Sequence, residues 1–195
     1  MNDIYNICVS RQLQFCVVLG NHDAETSGLS RREVIQLSAG YKGCLAQVGD
    51  EGLSGAGNYS IDVLDAQGQL LAPLYFLDSG GSHPEHVYDY IKPDQIEWLH
   101  SARSTQSTAT NALLFMHIAP REILEREQPH EQVGEWRELS CPSNVNSGIY
   151  GAMKQEGMLA CFFGHDHLND FSLRLQEGHK RYPWMIYCGS GSYVS

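Results

Sequence analysis

The sequence lacks any apolar run close to the roughly 20 residues that a membrane-spanning helix needs. Its first residues, MNDIYNICVSRQLQF, also lack the charged-then-apolar order of a secretory signal peptide. Basic residues are scarce, since 13 Lys and Arg stand against 23 Asp and Glu, which gives a formal net charge of −10. An acidic surface repels phosphate backbones. We therefore expect neither a membrane nor a nucleic acid as a partner.

Paired-cysteine motifs are missing too. None of the six cysteines forms a C-x-x-C pair, and Cys16, Cys161 and Cys188 lie inside apolar runs. This pattern is typical of buried free thiols rather than of disulfides or a zinc finger. It favours a reducing compartment, so a cytoplasmic location is expected.

The residues that are present predict one folded domain over 1–195. The chain has 195 residues, of which 42% are hydrophobic and 10% aromatic, enough for a sizeable core. Apolar runs at 15–20, 70–78, 112–120 and 158–164 predict buried strands, and strands at 171–175 and 183–191, joined by a turn at 177–180, close the chain. The alternation at 59–64 and the turn before 70 predict a hairpin.

Helical patterns lie between these strands. Ser30 and Glu33 form a capping box for a short helix, Pro93 opens a second helix, and a third begins near Ser147 and ends at Gly157. The polar segment 121–146 is predicted as a short helix and a long loop. Strands interleaved with helices indicate an α/β layered fold, with a mixed sheet or two packed sheets.

Three of the predicted strands end in side chains that bind metals. These are Asn21, His22 and Asp23 after the first, His117 after the fourth, and His165, Asp166 and His167 after the fifth. The carboxyl ends of neighbouring strands in an α/β sheet meet at one edge, where ligands collect. Imidazole nitrogens and an amide oxygen suit zinc, iron and manganese. The pattern therefore predicts a metal site.

Each motif taken alone also allows an interpretation without a metal. A single histidine after a strand, such as His117, is usually a hydrogen-bonded polar residue, and the pair in GHDH is compatible with an ordinary turn. A zinc-stabilised structural domain is disfavoured because the histidines lack cysteine partners at finger spacing. The three strand ends together favour the metal site.

The motifs resemble a known family. GNHD at 20–23, MHIAP at 116–120 and GHDH at 164–167 resemble, in order and spacing, the last three motifs of calcineurin-like metallophosphoesterases. VVLGNHDAE, LYFLDSG, FMHIAP, NSGIYGAM and FFGHDHLNDF are similar to the purple-acid-phosphatase-like branch of that superfamily. The resemblance covers nearly the whole chain.

The resemblance implies a fold and a site. The family fold is two packed mixed β-sheets flanked by helices, a four-layer sandwich with two divalent or trivalent metal ions (Fe, Mn or Zn) at the strand ends. Asn21, His117 and His165 would bind one metal and His167 the other. Asn21 and His22 would also contact the substrate phosphate, with His22 as general acid and Asp23 orienting His22 or shaping the loop. The metals would neutralise the phosphate and activate a water molecule.

Two motifs of that family have no counterpart in this sequence. D-x-H and G-D-x-x-D should precede GNHD, but Asp3 is the only acidic residue before Gly20 and no histidine lies there. We therefore expect the chain to correspond to the C-terminal portion of such a domain, N-terminally truncated and without the first strands. It would then hold only one metal, because His167 lacks the residues that share its ion.

Two functions from different classes follow. The first is metal-dependent hydrolysis of phosphate monoesters by a dinuclear site, with a phosphoprotein or a small phosphoester as substrate. The second is a catalytically inactive remnant that acts as a metal-binding or partner-binding module.

Overall fold

A large mixed sheet forms the centre of the fold. The computed structural model of the protein describes residues 2–25, 28–106, 111–125, 127, 130–177 and 180–190. Its strands are β1 (Tyr59–Leu64), β2 (Leu70–Phe76), β3 (Ser82–His83), β4 (Val87–Tyr88), β5 (Leu113–Phe115), β6 (His130–Glu135), β7 (Ala160–Phe163), β8 (Asp170–Glu177), β9 (Lys180–Arg181) and β10 (Trp184–Tyr187).

The strands of this sheet follow the order β1-β2-β5-β7-β10-β8-β6, with β9 paired to β8. The four central strands β2, β5, β7 and β10 are mutually parallel, whereas β1, β8 and β6 add antiparallel neighbours. Strands β3 and β4 form a separate two-stranded sheet. Because the central strands are parallel, their carboxyl ends lie at one edge of the sheet.

The helices are α1 (Asn2–Ser10), α2 (Arg31–Ala39), α3 (Pro93–Ser104) and α4 (Ile149–Gln155), with a 3₁₀ helix at Arg121–Leu124. Helices α2, α3 and α4 begin and end close to the predicted positions, whereas no pattern in the sequence predicted α1. The capping box that Ser30 and Glu33 predicted is formed at α2, and Pro93 is the first residue of α3. Within the described ranges, no helix combines the length and apolar character needed to cross a membrane.

The two faces of the sheet are covered unequally. On one face, Tyr75, Leu114 and Phe163 are buried in a core that also contains residues of α3 and α4. The opposite face carries a row of stacked rings across four strands, with centroid separations of 4.5, 5.0 and 5.1 Å: Tyr59, Phe76, Phe115 and Phe162. Helix α2 packs at the β1–β2 end of this row, while Phe115 and Phe162 are only half-buried.

The predicted strand at 15–20 is wrong. Within this segment only Phe15 forms a β-bridge, to Cys44, and residues 16–20 belong to no strand in the described part of the chain. The apolar run is still explained by burial, because Leu19 lies in the core beneath α2 and Val17 and Val18 pack against it. An apolar run therefore indicates that a segment packs against the core, but it does not show that the segment pairs with a neighbouring strand.

The fold class predicted from the sequence is confirmed, since the chain is α/β with a large mixed sheet, a second small sheet and flanking helices. Four strands were missed. Three of them, β3, β4 and β9, have only two residues each, whereas β6 lies in the segment predicted as a loop and forms the edge beside β8. The closing strands β8 and β10 pair as predicted. The centre of the predicted turn, residues 178–179, lies outside the described residues.

Candidate metal centre

Three predicted ligands meet at the carboxyl edge of the sheet. The Oδ1 atom of Asn21 lies 2.8 Å from Nε2 of His117 and 3.3 Å from Nδ1 of His165. His117 and His165 each lie two residues beyond the adjacent parallel strands β5 and β7. Asn21 directly follows the segment 15–20, and it is buried.

The glycine of the GNHD motif permits this approach. A Cβ atom added at Gly20 would lie 3.2 Å from the ring of His117, which is tighter than ordinary van der Waals contact. The backbone before Asn21 therefore passes directly over the imidazole. A larger residue at position 20 would push His117 away from the amide oxygen of Asn21.

The backbone at His165 is strained. Its φ is +77°, and the Asp166 N–H donates to the Gly164 carbonyl at 3.0 Å, which closes a three-residue turn. A non-glycine residue in this region costs on the order of 1–3 kcal/mol and commonly marks a functional site. The turn places the His165 ring edge-on against the rings of His117 and Tyr88, at 5.2 and 4.3 Å.

A cleft of about 260 Å³ opens over these side chains. It is lined by Asn21, His22, Tyr88, His117, Glu138, Leu139, Cys141, His165, Asp166 and His167. The structure thus brings five of the six predicted site residues to one cleft. Tyr88, Glu138 and Cys141 were missed, because they lie in segments without a motif and reach the cleft only through the fold.

The sixth predicted residue, Asp23, stabilises the loop. Its carboxylate accepts a hydrogen bond from the Gly20 N–H at 2.6 Å. The hydrogen-bond partner of His22 is instead Glu25, whose Oε2 lies 2.5 Å from Nδ1 of the imidazole. This contact lowers the pKa of the Glu25 carboxyl, and Ser82 donates to its other oxygen. Of the two roles predicted for Asp23, loop shaping agrees with these contacts.

Burial keeps the two strand-end histidines neutral. Burial, together with the neighbouring His165 and Arg31, lowers the pKa of His117 to about 3. Burial also lowers the pKa of His165. A neutral imidazole has a free lone pair for a metal ion.

The donor set fits a metal ion. The amide oxygen of Asn21 lies within 3.3 Å of one nitrogen of each imidazole, and imidazole nitrogens and carbonyl oxygens are donors that zinc, iron and manganese accept. The described residues contain no group of three or more His, Cys, Asp or Glu side chains placed to bind a metal. The candidate centre therefore depends on the amide of Asn21. His167 lies at the exposed side of the cleft, without a comparable set of neighbours in the described part of the chain.

These buried imidazoles predict a pH-dependent stability. The folded-state pKa of His117 lies below its unfolded value of about 6.5, so the unfolded chain binds more protons as the pH falls below that value. We expect the free energy of unfolding of the metal-free protein, measured in urea, to fall by about 1 kcal/mol per pH unit between pH 6 and 5. His117→Gln should show a shallower dependence, and an unchanged slope in that variant would contradict the assignment.

Comparison with known proteins finds similar phosphatase-like proteins. No family model matches the chain. It is 31% identical over 206 residues to "Probable inactive purple acid phosphatase 28" of Arabidopsis thaliana, covering 93% of this chain and 50% of that protein. It is 27% identical to "Probable inactive purple acid phosphatase 14" of the same plant, covering 93% of this chain and 50% of that protein. It is 28% identical to "Phosphatase DCR2" of Saccharomyces cerevisiae, covering 94% of this chain and 34% of that protein.

The chain thus spans about half the length of the Arabidopsis relatives it matches. The similarity extends over nearly all of its own length and includes the three motifs whose side chains meet in the cleft. The homologues of this chain are therefore purple-acid-phosphatase-like proteins of the calcineurin-like metallophosphoesterase type, and the similarity covers about nine-tenths of this chain.

Proposed function

We propose that this chain hydrolyses phosphate monoesters in a metal-dependent reaction. The observation that carries the proposal is the meeting of Asn21, His117 and His165 at the floor of one cleft, in a chain related to phosphatases. Asn21, His117 and His165 would hold one iron, manganese or zinc ion, and His167 would contribute to a second. A bound metal supplies Lewis acidity and an activated water molecule.

The charges in the cleft support a need for a cation. Among the described residues no lysine or arginine lines the cleft, whereas Glu138 and Asp166 do. The chain as a whole carries a formal net charge of −10. A phosphate dianion would therefore meet a field of its own sign, and a bound metal ion is the simplest way to reverse it.

His22 is suited to proton transfer. Its side chain is 75% exposed at the cleft, and Glu25 holds its Nδ1 atom. This leaves Nε2 as the nitrogen that can give a proton to the leaving alkoxide of a phosphate ester. In this proposal Glu25 orients His22, while Asn21 and His22 contact the phosphate.

A second candidate is a metal-binding or partner-binding module without turnover. Two observations favour it. The described residues bring together a donor set for one ion only, and two of the relatives are named as probable inactive phosphatases. The same ligands would then hold a metal, but no ester would be cleaved.

One experiment separates the two candidates. Purified protein loaded with Mn²⁺, Fe²⁺ or Zn²⁺ is assayed for bound metal by mass spectrometry and for hydrolysis of p-nitrophenyl phosphate. We expect turnover that EDTA abolishes and that His22→Ala lowers by roughly 10²–10⁴-fold. The matched control is His130→Ala, on the exposed edge strand β6, which should leave turnover unchanged. Bound metal without turnover would favour the second candidate as a metal-binding module. No bound metal would contradict the first candidate and leave only a module that binds a partner.

A further inference from the structure

The three candidate ligands are not held in the same way. His117 and His165 follow strands whose backbones are fixed by sheet hydrogen bonds on both sides. Asn21 follows the segment 15–20, which has no ladder beyond the bridge of Phe15. Tyr59 anchors the middle of that segment, since its hydroxyl both accepts from and donates to the backbone of Val17. The last residues before Asn21 need another attachment.

Arg31 provides that attachment. Its Nη1 donates to the carbonyl of Gly20 at 2.8 Å, and its Nη2 lies 3.3 Å from the carbonyl of Leu19. These are the two residues directly before Asn21. Arg31, the first residue of α2, therefore holds the backbone next to the candidate ligand Asn21 by hydrogen bonds.

Asp78 fixes the arginine in turn. Nε and Nη2 of Arg31 donate to the two carboxylate oxygens of Asp78, at 3.0 and 2.5 Å, in a bidentate pair. Asp78 is buried, lies two residues beyond β2, and also accepts from the backbone N–H groups of Ala56 and Gly80. The pair therefore ties the GNHD loop to the same sheet edge that carries His117.

This arrangement needs the planar guanidinium. All three guanidinium nitrogens of Arg31 are used at once: Nε and Nη2 face the carboxylate, and Nη1 and Nη2 face the two carbonyls. A lysine ammonium cannot reproduce this planar arrangement of donors. The neighbouring Arg32 is different. Among the residues that the structure describes, its polar contacts are limited to the Gly49 carbonyl at 3.3 Å and the exposed Glu51 at 3.4 Å.

We propose that Arg31, locked by Asp78, is a positioning residue that sets the amide oxygen of Asn21 against His117 and His165. The proposal rests on the metal site proposed above. It assigns no direct metal or substrate contact to Arg31, which acts only through the carbonyls of Leu19 and Gly20.

The test compares Arg31→Lys with Arg32→Lys. Cobalt(II) is titrated into each protein and followed by its visible absorption, which reports ligand number and geometry. We expect Arg31→Lys to bind cobalt at least roughly 10-fold more weakly and with an altered spectrum, and Arg32→Lys to match the unmodified protein. The double variant Arg31→Gln/Asp78→Asn removes the partly buried charge of Arg31 and the buried charge of Asp78 together, which folded proteins tolerate better than loss of one partner. It should show the same weakening, and it replaces Arg31→Lys if that variant does not fold.

A second readout does not depend on the metal. In the metal-free protein, the side-chain NH₂ resonances of Asn21 should shift in Arg31→Lys and stay in place in Arg32→Lys. Normal cobalt binding by the Arg31 variants would overturn the inference and leave the metal site standing. Absence of cobalt binding by the unmodified protein would contradict the metal site instead. Unchanged Asn21 resonances in Arg31→Lys would then overturn the positioning role on their own.

Discussion

Phe163→Ala is expected to lower the free energy of unfolding by about 3–5 kcal/mol. Phe163 is fully buried on the core face of β7, where its ring meets Tyr187 edge-on at 4.5 Å. Truncation removes the ring's contacts and leaves a cavity between the sheet and the helices that cover this face. The change is measured by urea denaturation followed by far-UV circular dichroism.

The adjacent residue is the matched control. Phe162 lies on the same strand but on the opposite face, where it is half-buried at the end of the stacked row. We expect Phe162→Ala to cost no more than about half as much, since part of its ring already contacts solvent. Equal losses for the two variants would contradict the assignment of the core to one face.

Loss of a strand-end ligand should have the largest effect on metal affinity. His117→Ala or His165→Ala is expected to weaken zinc binding by roughly 100-fold or more, because each removes one of three converging donors. Isothermal titration calorimetry measures the affinity. His130→Ala, a histidine on exposed β6, is the control and should bind zinc normally.

Asn21, the third candidate donor, can be tested in the same way. Asn21→Asp keeps an oxygen at the same place and adds a charge, so zinc should still bind, whereas Asn21→Ala should resemble the histidine variants. Zinc affinity that is unaffected by both histidine variants would show that the metal is held elsewhere and would contradict the proposed centre.

The meeting of the candidate ligands could be predicted because strand ends share an edge. His117 and His165 each follow a short buried run, and such runs pair in parallel when helices separate them. The local rules for helix starts also held, since Ser30, Glu33 and Pro93 act through contacts within one turn. Signals that act over a few residues were therefore sufficient for these features.

Features that depend on the tertiary fold could not be predicted. Strand β6 has the sequence HEQVGE, and its Val133 is 67% exposed. Because this edge strand is largely exposed to solvent, it lacks the apolar alternation by which strands are predicted. The segment 15–20 is as apolar as a strand, yet it is buried by a helix. Glu25 and Arg31 act through partners brought close by folding, and no local pattern marks such contacts.

The parallel centre of the sheet also sets how the chain must fold. Leu74 pairs with Leu113 and Leu113 with Ala160, so neighbouring strands are separated by roughly 40 to 50 residues of chain. Closing such long loops costs chain entropy before strand pairing stabilises the sheet, so we expect slow folding. The β1–β2 hairpin and the helices can form early, whereas the edge that unites His117 and His165 is completed only when β7 docks beside β5. We therefore expect the candidate metal centre to be among the last features to form, and a metal present during refolding to stabilise the final state rather than the first steps.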